Sequence, residues 1–250
     1  MFRIFRQLRK RLIGNGQVRR YLFYAVGEIA LVVIGILLAL QIDTWNEEQK
    51  LKTKEVVYLK EIRSNLQEDL ESVTYWIARN RVKDSVITRC LLAILEAKSN
   101  REAMMAINRN MPTLASFSPF SRNRVAFDNM LSGETIAIIS NDSLRNSLSS
   151  YYSQEELNYG TQERAKELTR YFVDHITPLL MNRESITAAL GVPNDFKSAE
   201  DINFRTNSMI FGDLFGMQKN LEYHTAYLQS YHREIEALME QIDDFLNQAE

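Results

Sequence analysis

The 250-residue chain contains one cysteine, Cys90. That excludes an internal disulfide and any zinc or iron–sulfur site built from cysteines. Proline is nearly as scarce, with four (Pro112, Pro119, Pro178, Pro193), and glycine occurs nine times. Neither type occurs between residues 36 and 111. These two residues punctuate chains most strongly, so their rarity predicts long helices joined by few turns. Strand-like alternation is nearly missing too. Residues 135–139 are the one run that reads as a strand, and they read equally well as a link between helices.

Catalytic motifs are also absent. The chain has no Gly-x-Ser-x-Gly elbow, no lysine with Ser or Thr three residues before it, and no glycine-rich phosphate loop. Gly14-Asn15-Gly16 is too short to cradle a phosphate. The three histidines, His175, His224 and His232, form no His-x-x-x-His pair. His224 falls on a helical seam and His175 among Phe172, Ile176 and Leu179, so core histidines are favoured over metal ligands. His232 is expected to be exposed. The acidic pairs Glu155-Glu156, Glu200-Asp201 and Asp243-Asp244 are adjacent in sequence, so their side chains diverge on a helix and read as solvated faces. The expectation is no catalytic residue, no cofactor, no metal and no enzyme activity.

What is present is unevenly distributed. The formal net charge is -2, yet residues 1–42 carry seven basic side chains against one acid, Glu28. Between residues 21 and 42 the chain reads YLFYAVGEIALVVIGILLALQI, with Glu28 its only ionisable group apart from the tyrosines. At about 1.5 Å per residue this run covers roughly 33 Å, close to the bilayer hydrocarbon thickness of about 30 Å. Tyr21 and Tyr24 at one end and Trp45 at the other are placed as interface anchors. A cleaved signal peptide has a shorter apolar run and a small-x-small cleavage site, which residues 38–41 lack. The run therefore reads as an uncleaved signal anchor. The basic residues precede it, which by the positive-inside rule puts the N-terminus in the cytoplasm and the domain after Trp45 on the periplasmic side of the inner membrane.

Three regions follow: a basic amphipathic cytoplasmic segment over 1–20, a transmembrane helix over 21–42, and an extracytoplasmic α-helical domain over 43–250. In the first, Phe2, Phe5, Leu8 and Leu12 recur at helical spacing, with Arg3, Arg6, Arg9, Lys10 and Arg11 around them. Such a helix lies on an anionic inner leaflet, each basic residue contributing about 1 kcal/mol. The patch is short and carries no nucleic-acid-binding motif, so a nucleic-acid partner is not expected. Inside the span, Glu28 costs on the order of 2–3 kcal/mol on insertion scales unless it pairs, protonates or snorkels. Gly35 and Ala39 share its helix face and form a small-x-x-x-small pair that admits a second helix closely. Glu28, Gly35 and Ala39 are therefore expected to make a membrane helix contact. The competing readings are snorkelling of Glu28 in a lone helix and ion conduction.

The fold class expected is all-α, with long antiparallel coiled-coil-like helices in the exported domain. Leu59, Ile62, Leu66, Val73 and Trp76 follow a three/four spacing, with Leu70 and Ile77 beside the seam. Val86, Ile87, Leu91, Ile94 and Leu95 continue it on a second helix or beyond a bend near Asn80. Leu221, His224, Leu228, Tyr231, Ile235, Leu238, Ile242 and Phe245 fill consecutive seam positions at the far end, and a seam that long needs a partner helix. The last helix is expected to run antiparallel to residues 50–78. In the middle, Ser121 is expected to cap a helix ending at a left-handed Gly133, and Asn141 or Asp142 one running toward Leu180. A short helix over 183–190 closes at Gly191, and Phe196, Phe204, Phe211 and Phe215 anchor a looser 192–216.

The stretch from Tyr24-Ala25-Val26-Gly27-Glu28-Ile29 through Trp45-Asn46-Glu47 resembles the N-terminal signature of a bacterial family of single-span membrane proteins known only as a domain of unknown function. Tyr151-Tyr152 after Ser132-Gly133 and Asn141 is similar to that family's middle section. The resemblance implies an envelope location and a helical extracytoplasmic domain, and it brings no catalytic residues. Together these readings lead to a membrane-anchored, non-catalytic structural or interaction subunit of the cell envelope. Its partners would be the bilayer and other membrane or envelope proteins, itself included as a homo-oligomer. The alternative is a ligand-binding or sensor module, with Phe117, Phe120, Phe127, Tyr151, Tyr152 and Phe172 lining a pocket instead of a core.

Overall fold

A computed structural model describes residues 18–117, 119–133, 136–153 and 155–249, without the side chains of 18–21, 24, 155–159 and 249. Among the described residues seven α-helices and two short 3₁₀ turns occur, and no strand. The helices are α1 (Val18–Glu96), α2 (Asn100–Leu114), α3 (Val125–Ser132), α4 (Asp142–Ser153), α5 (Glu155–Leu180), α6 (Arg183–Leu190) and α7 (Ser208–Ala249). The fold is all-α. By internal contacts the chain divides into two units, residues 1–56 and 57–250.

In the first unit, none of the residues in the most apolar stretch of α1 is buried by the chain. Ile29, Leu31, Val32, Ile34, Leu37 and Leu40 are each more than half exposed. α1 is, among the described residues, the one helix long and apolar enough to cross a membrane.

The second unit is a helical bundle. Its α1 segment does not break near Asn80, because the helix runs uninterrupted to Glu96. The seam is also longer than expected. Leu59, Ile62, Leu66, Asp69, Val73, Asn80, Lys83, Ile87, Cys90, Ile94 and Ala97 are all buried and keep three/four spacing, with half-buried Trp76 completing it. Ile77, not Trp76, is the buried member of that adjacent pair, and Leu95 is exposed rather than packed. Helix α7 answers with Leu221, His224, Leu228, Tyr231, Ile235, Leu238 and Ile242, all buried.

Cross-links from α1 to α7 fix their direction. Arg63 donates to Asp243 at 2.5 and 2.9 Å, Asn80 meets His224 at 3.2 Å, and Gln218 donates to Asp84 at 3.1 Å. Rising numbers on α1 match falling numbers on α7, so the two are antiparallel. α5 packs antiparallel on α7 as well, with His175 against Asp213 and Leu168 beside Gly216.

Apolar burial forms two clusters. One joins residues 59–77 of α1 to α3, α4 and residues 228–242 of α7. The other joins residues 86–97 to α2, α5 and residues 210–221 of α7. Phe120, Phe127, Tyr151 and Tyr152 are core in the first and Phe172 in the second, so these aromatics pack the interior rather than line a pocket.

The punctuation was partly as expected. α6 is capped by Asn182, whose side chain accepts from the Ser185 N–H while the Ser185 hydroxyl accepts from the Asn182 N–H. It closes at Gly191 with φ +69°, the left-handed conformation that glycine alone adopts at little cost. Gly133 has φ −85° instead, so no left-handed turn ends α3, and α3 begins after Arg124 rather than at Ser121. The helix capped by Asn141 is described to Ser153 and α5 from Glu155, with residue 154 between them outside the described residues. Residues 136–138 form a 3₁₀ turn, and thus a link. The 192–216 stretch is pinned by buried Phe204 and half-buried Phe211, while Phe196 and Phe215 are about half exposed.

Leu66 is fully buried in the first core. Replacing it with alanine should lower the unfolding free energy of the full chain by about 2–5 kcal/mol, measured by urea denaturation. A loss within 0.5 kcal/mol, roughly the size of an ordinary surface substitution, would contradict this placement.

Candidate functional site

Between the two apolar clusters lies a layer of buried polar side chains. On α1 the first cluster ends at Ile77 and the second begins at Val86, and Asn80 and Lys83 fill the seam positions between them. On α7 the corresponding interval between Leu221 and Leu228 holds His224. Exposures are 1% for Asn80, 7% for Lys83 and 1% for His224. Lys83 Nζ donates to the Ser116 carbonyl at 2.5 Å and to Thr169 Oγ1 at 3.3 Å, tying α1 to the end of α2 and to α5. The Asn80 amide bonds His224 Nδ1, tying α1 to α7. Burial pushes the Lys83 ammonium down to about 8. It also pushes His224 down to about 4, with help from the Lys83 charge. Asn80 Oδ1 and His224 Nε2 are buried without a hydrogen-bond partner. A cavity of about 20 Å³ lies among these groups. It is roomy enough for one water-sized occupant and far smaller than an organic substrate requires.

The first core contains a second polar cluster. The Asp69 carboxylate accepts the Asn123 N–H at 2.8 Å and the Tyr151 hydroxyl at 3.1 Å. Burial raises the Asp69 carboxyl despite both bonds. The Arg122 guanidinium stacks between the Tyr151 and Tyr231 rings, 4.5 and 4.4 Å from their centroids. It also donates to the Tyr231 hydroxyl, while Nη1 is unpartnered. Gln162 on α5 clasps the Phe120 backbone, accepting its N–H at 3.0 Å and donating to its carbonyl at 2.7 Å. Burial raises the Tyr151, Tyr152 and Tyr227 hydroxyls, so all three remain protonated donors.

The sequence-derived positions fall elsewhere. Glu28, Gly35 and Ala39 are exposed on α1, and a Cβ built at Gly35 meets nothing within 4 Å. Trp45 is 62% exposed. Tyr21 and Tyr24 belong to α1, with side chains outside the described residues. Arg3, Arg6, Arg9, Lys10 and Arg11 also lie outside them. His224 is a core histidine as expected. His175 is partly exposed and meets Asp213 at 2.6 Å, and His232 is half-buried beside Glu236 at 3.1 Å. Among the described residues, no three His, Cys, Asp or Glu side chains converge as a metal site would need. Asp69, Asn80 and Lys83 are polar, so the apolar pattern alone does not place them in the core. The signal was the unbroken three/four spacing from Leu59 to Ala97, which runs straight through them.

Depressed His224 gives a pH dependence with a definite sign. The unfolded chain takes up a proton near pH 6.5 and the folded chain only near 4, so the unfolded state binds more protons between these values. Stability should be full above about pH 6.5 and fall by about 3 kcal/mol down to about pH 4. In a gluconate buffer the His224→Phe variant should lack that part of the slope, and an unchanged slope would contradict the burial.

A family of unknown function (DUF6090) matches residues 28–168, which takes in much of the apolar stretch, Asp69, Asn80, Lys83, Arg122 and Tyr151-Tyr152. No curated protein and no solved structure matches. With more than half of its length inside the match, the chain belongs to this family of unknown function.

Proposed function

We propose that this protein is a membrane-anchored, non-catalytic interaction subunit of the bacterial cell envelope. Residues 21–42 span the inner membrane, the basic 1–20 segment rests on its anionic inner leaflet, and residues 43–250 are periplasmic. One observation carries the reading: no residue in the most apolar stretch of the chain is buried by the chain itself. More than a dozen aliphatic side chains in water would cost tens of kcal/mol at about 25 cal/mol per Å², and lipid removes that cost. The charge asymmetry across residue 42 supports the orientation.

The bundle's interior supports action by contact. Its buried polar groups bond helix to helix, and the space among them in the layer is water-sized. In the span, Glu28, Gly35 and Ala39 form the face that meets a second membrane helix, from another copy or from another envelope protein. Gly35, with open space where a Cβ would stand, admits such an approach.

Topology is tested with C-terminal fusions: alkaline phosphatase should be active there and a cytoplasm-only fluorescent protein dark, and the reverse pattern would overturn the orientation. Glu28→Leu should weaken detergent-stable assembly by about tenfold, the equivalent of one interhelical hydrogen bond of about 1–2 kcal/mol. Assembly sizes that match wild type on native gels would reject the contact. Recovery of the intact chain in a detergent-free wash would reject the anchor.

A further inference from the structure

The bundle buries two cations, and they are treated differently. Arg122 lies between two aromatic faces and within the field of Asp69 and Glu234. Lys83 bonds only neutral oxygens, the Ser116 carbonyl and the Thr169 hydroxyl. Among the described residues no carboxylate acts on it; burial is the sole cause of its shift to about 8. At pH 7 it remains roughly nine-tenths charged. An ammonium that is buried, charged and without a counter-ion is a costly arrangement. Its third N–H is left over from the two bonds it makes, and a cavity of about 20 Å³ lies against it.

The two orphan atoms beside that cavity are coupled. With the Asn80 amide donating to His224 Nδ1, Nε2 carries the proton and has no acceptor, and Asn80 Oδ1 has no donor. Turning the amide over on a protonated ring resolves the Asn80 orphan and leaves Nε2–H to donate toward the cavity. Oδ1 then accepts from Nδ1–H, while Asn80 Nδ2–H and His224 Nε2–H, together with Lys83 Nζ–H, become three donors beside one water-sized space. A second positive charge there requires a negative one in that space. Lys83 is the charged group facing His224 from α1. The rest of the wall, from α5, α7 and the loop after α2, carries no titratable side chain.

We propose that the cavity enclosed by Asn80, Lys83, Thr169 and His224 binds one small monovalent anion of halide size, taken up together with a proton on His224. The anion is the counter-ion of Lys83, and the polar layer between the two cores is its site. A larger or polyatomic organic anion does not fit a space of this volume. The occupied state joins α1, α5 and α7 through one ion, so binding stabilises the bundle.

The test uses the full-length protein purified in mild detergent, with thermal unfolding followed by circular dichroism at constant ionic strength. Sodium chloride or bromide should raise the midpoint saturably relative to sodium gluconate. The gain should be about 3–6 °C at an anion concentration about ten times Kd. It should be larger at about pH 5.5 than at about pH 7.5, because the anion retains the His224 proton. Lys83→Met should lose the halide-dependent gain at both pH values, and persistence of the gain in that variant would overturn the assignment. Should Lys83→Met fail to fold, bromide-soaked wild-type crystals decide the matter. An anomalous peak within hydrogen-bond distance of Lys83 Nζ supports the site, and its absence overturns it. Superimposable wild-type midpoints in bromide and gluconate at both pH values would also overturn it, and would leave a single water as the occupant.

Discussion

The bundle depends on one constraint: three polar side chains, Asp69, Asn80 and Lys83, occupy positions in the α1 seam that would ordinarily be apolar. A buried polar group without a partner costs about 1–3 kcal/mol, and a buried charge costs more. The partners of these three are scattered. Asp69 needs Tyr151 and the Asn123 backbone, Asn80 needs His224, and Lys83 needs Ser116 and Thr169. They come from α4, α5, α7 and the loop between α2 and α3, and all are within reach only when those segments pack against α1 in one arrangement. Sliding α7 by one heptad would keep the apolar seam nearly intact, since leucine and isoleucine recur along it, but it would take His224 away from Asn80 and Tyr231 away from Arg122. The polar residues lower stability and raise specificity, the trade known for polar residues at seam positions of paired helices.

The magnitudes separate these buried contacts from the surface ion pairs. Arg63–Asp243 is bidentate, yet both side chains are about two-fifths exposed, so solvent screening leaves it worth about 1 kcal/mol or less. Lys50–Glu47 and Lys219–Glu222 are more exposed still. Arg122 is a different case. It is 8% exposed, faces two tyrosine rings and reaches the Tyr231 hydroxyl, so the loop between α2 and α3 is held to α4 and α7 by a single side chain. The Tyr227 hydroxyl donates to Tyr231 as well, so that oxygen gathers donors from two sides. Removing the guanidinium would leave two tyrosine faces and a buried carboxylate with nothing to balance them. Few other single contacts in the bundle connect three segments so far apart in sequence.

Which features were legible in the sequence follows from their range. All-helical class was readable because it depends on local quantities, the shortage of glycine and proline and the three/four spacing. The α7 seam was readable whole because seven of its eight expected members are apolar or aromatic. The α1 seam was read in pieces, and a bend was placed at Asn80, because Asp69, Asn80 and Lys83 interrupt the apolar pattern without interrupting the spacing. Ile77 is more deeply buried than its seam neighbour Trp76 for a related reason: neighbouring apolar residues on a helix differ by about 100°, and composition does not say which one faces further inward. Gly133 and Gly191 both follow helices, and only Gly191 has positive φ. The polar layer had no local signature at all. Asn80 and His224 are 144 residues apart, and Lys83 and Thr169 are 86 apart.

The limits of the family match sharpen the same point. It ends at residue 168, within α5 and one residue short of Thr169. The α1 seam lies inside it in full, as do Asp69, Asn80, Lys83 and Arg122. The surfaces that complete that seam lie outside it: Phe172 and Ile176 on α5, and the whole buried face of α7. A segment of 28–168 alone would present a long apolar seam with three polar residues in it and would lack Thr169 and His224, the partners of Lys83 and Asn80. The matched stretch is therefore smaller than the cooperative unit. In this chain the bundle closes only when α7, some 130 to 180 residues downstream, returns along α1 with its histidine and tyrosine in register. That long-range closure carries a loop-entropy cost, which the contacts between α1 and α7 must offset.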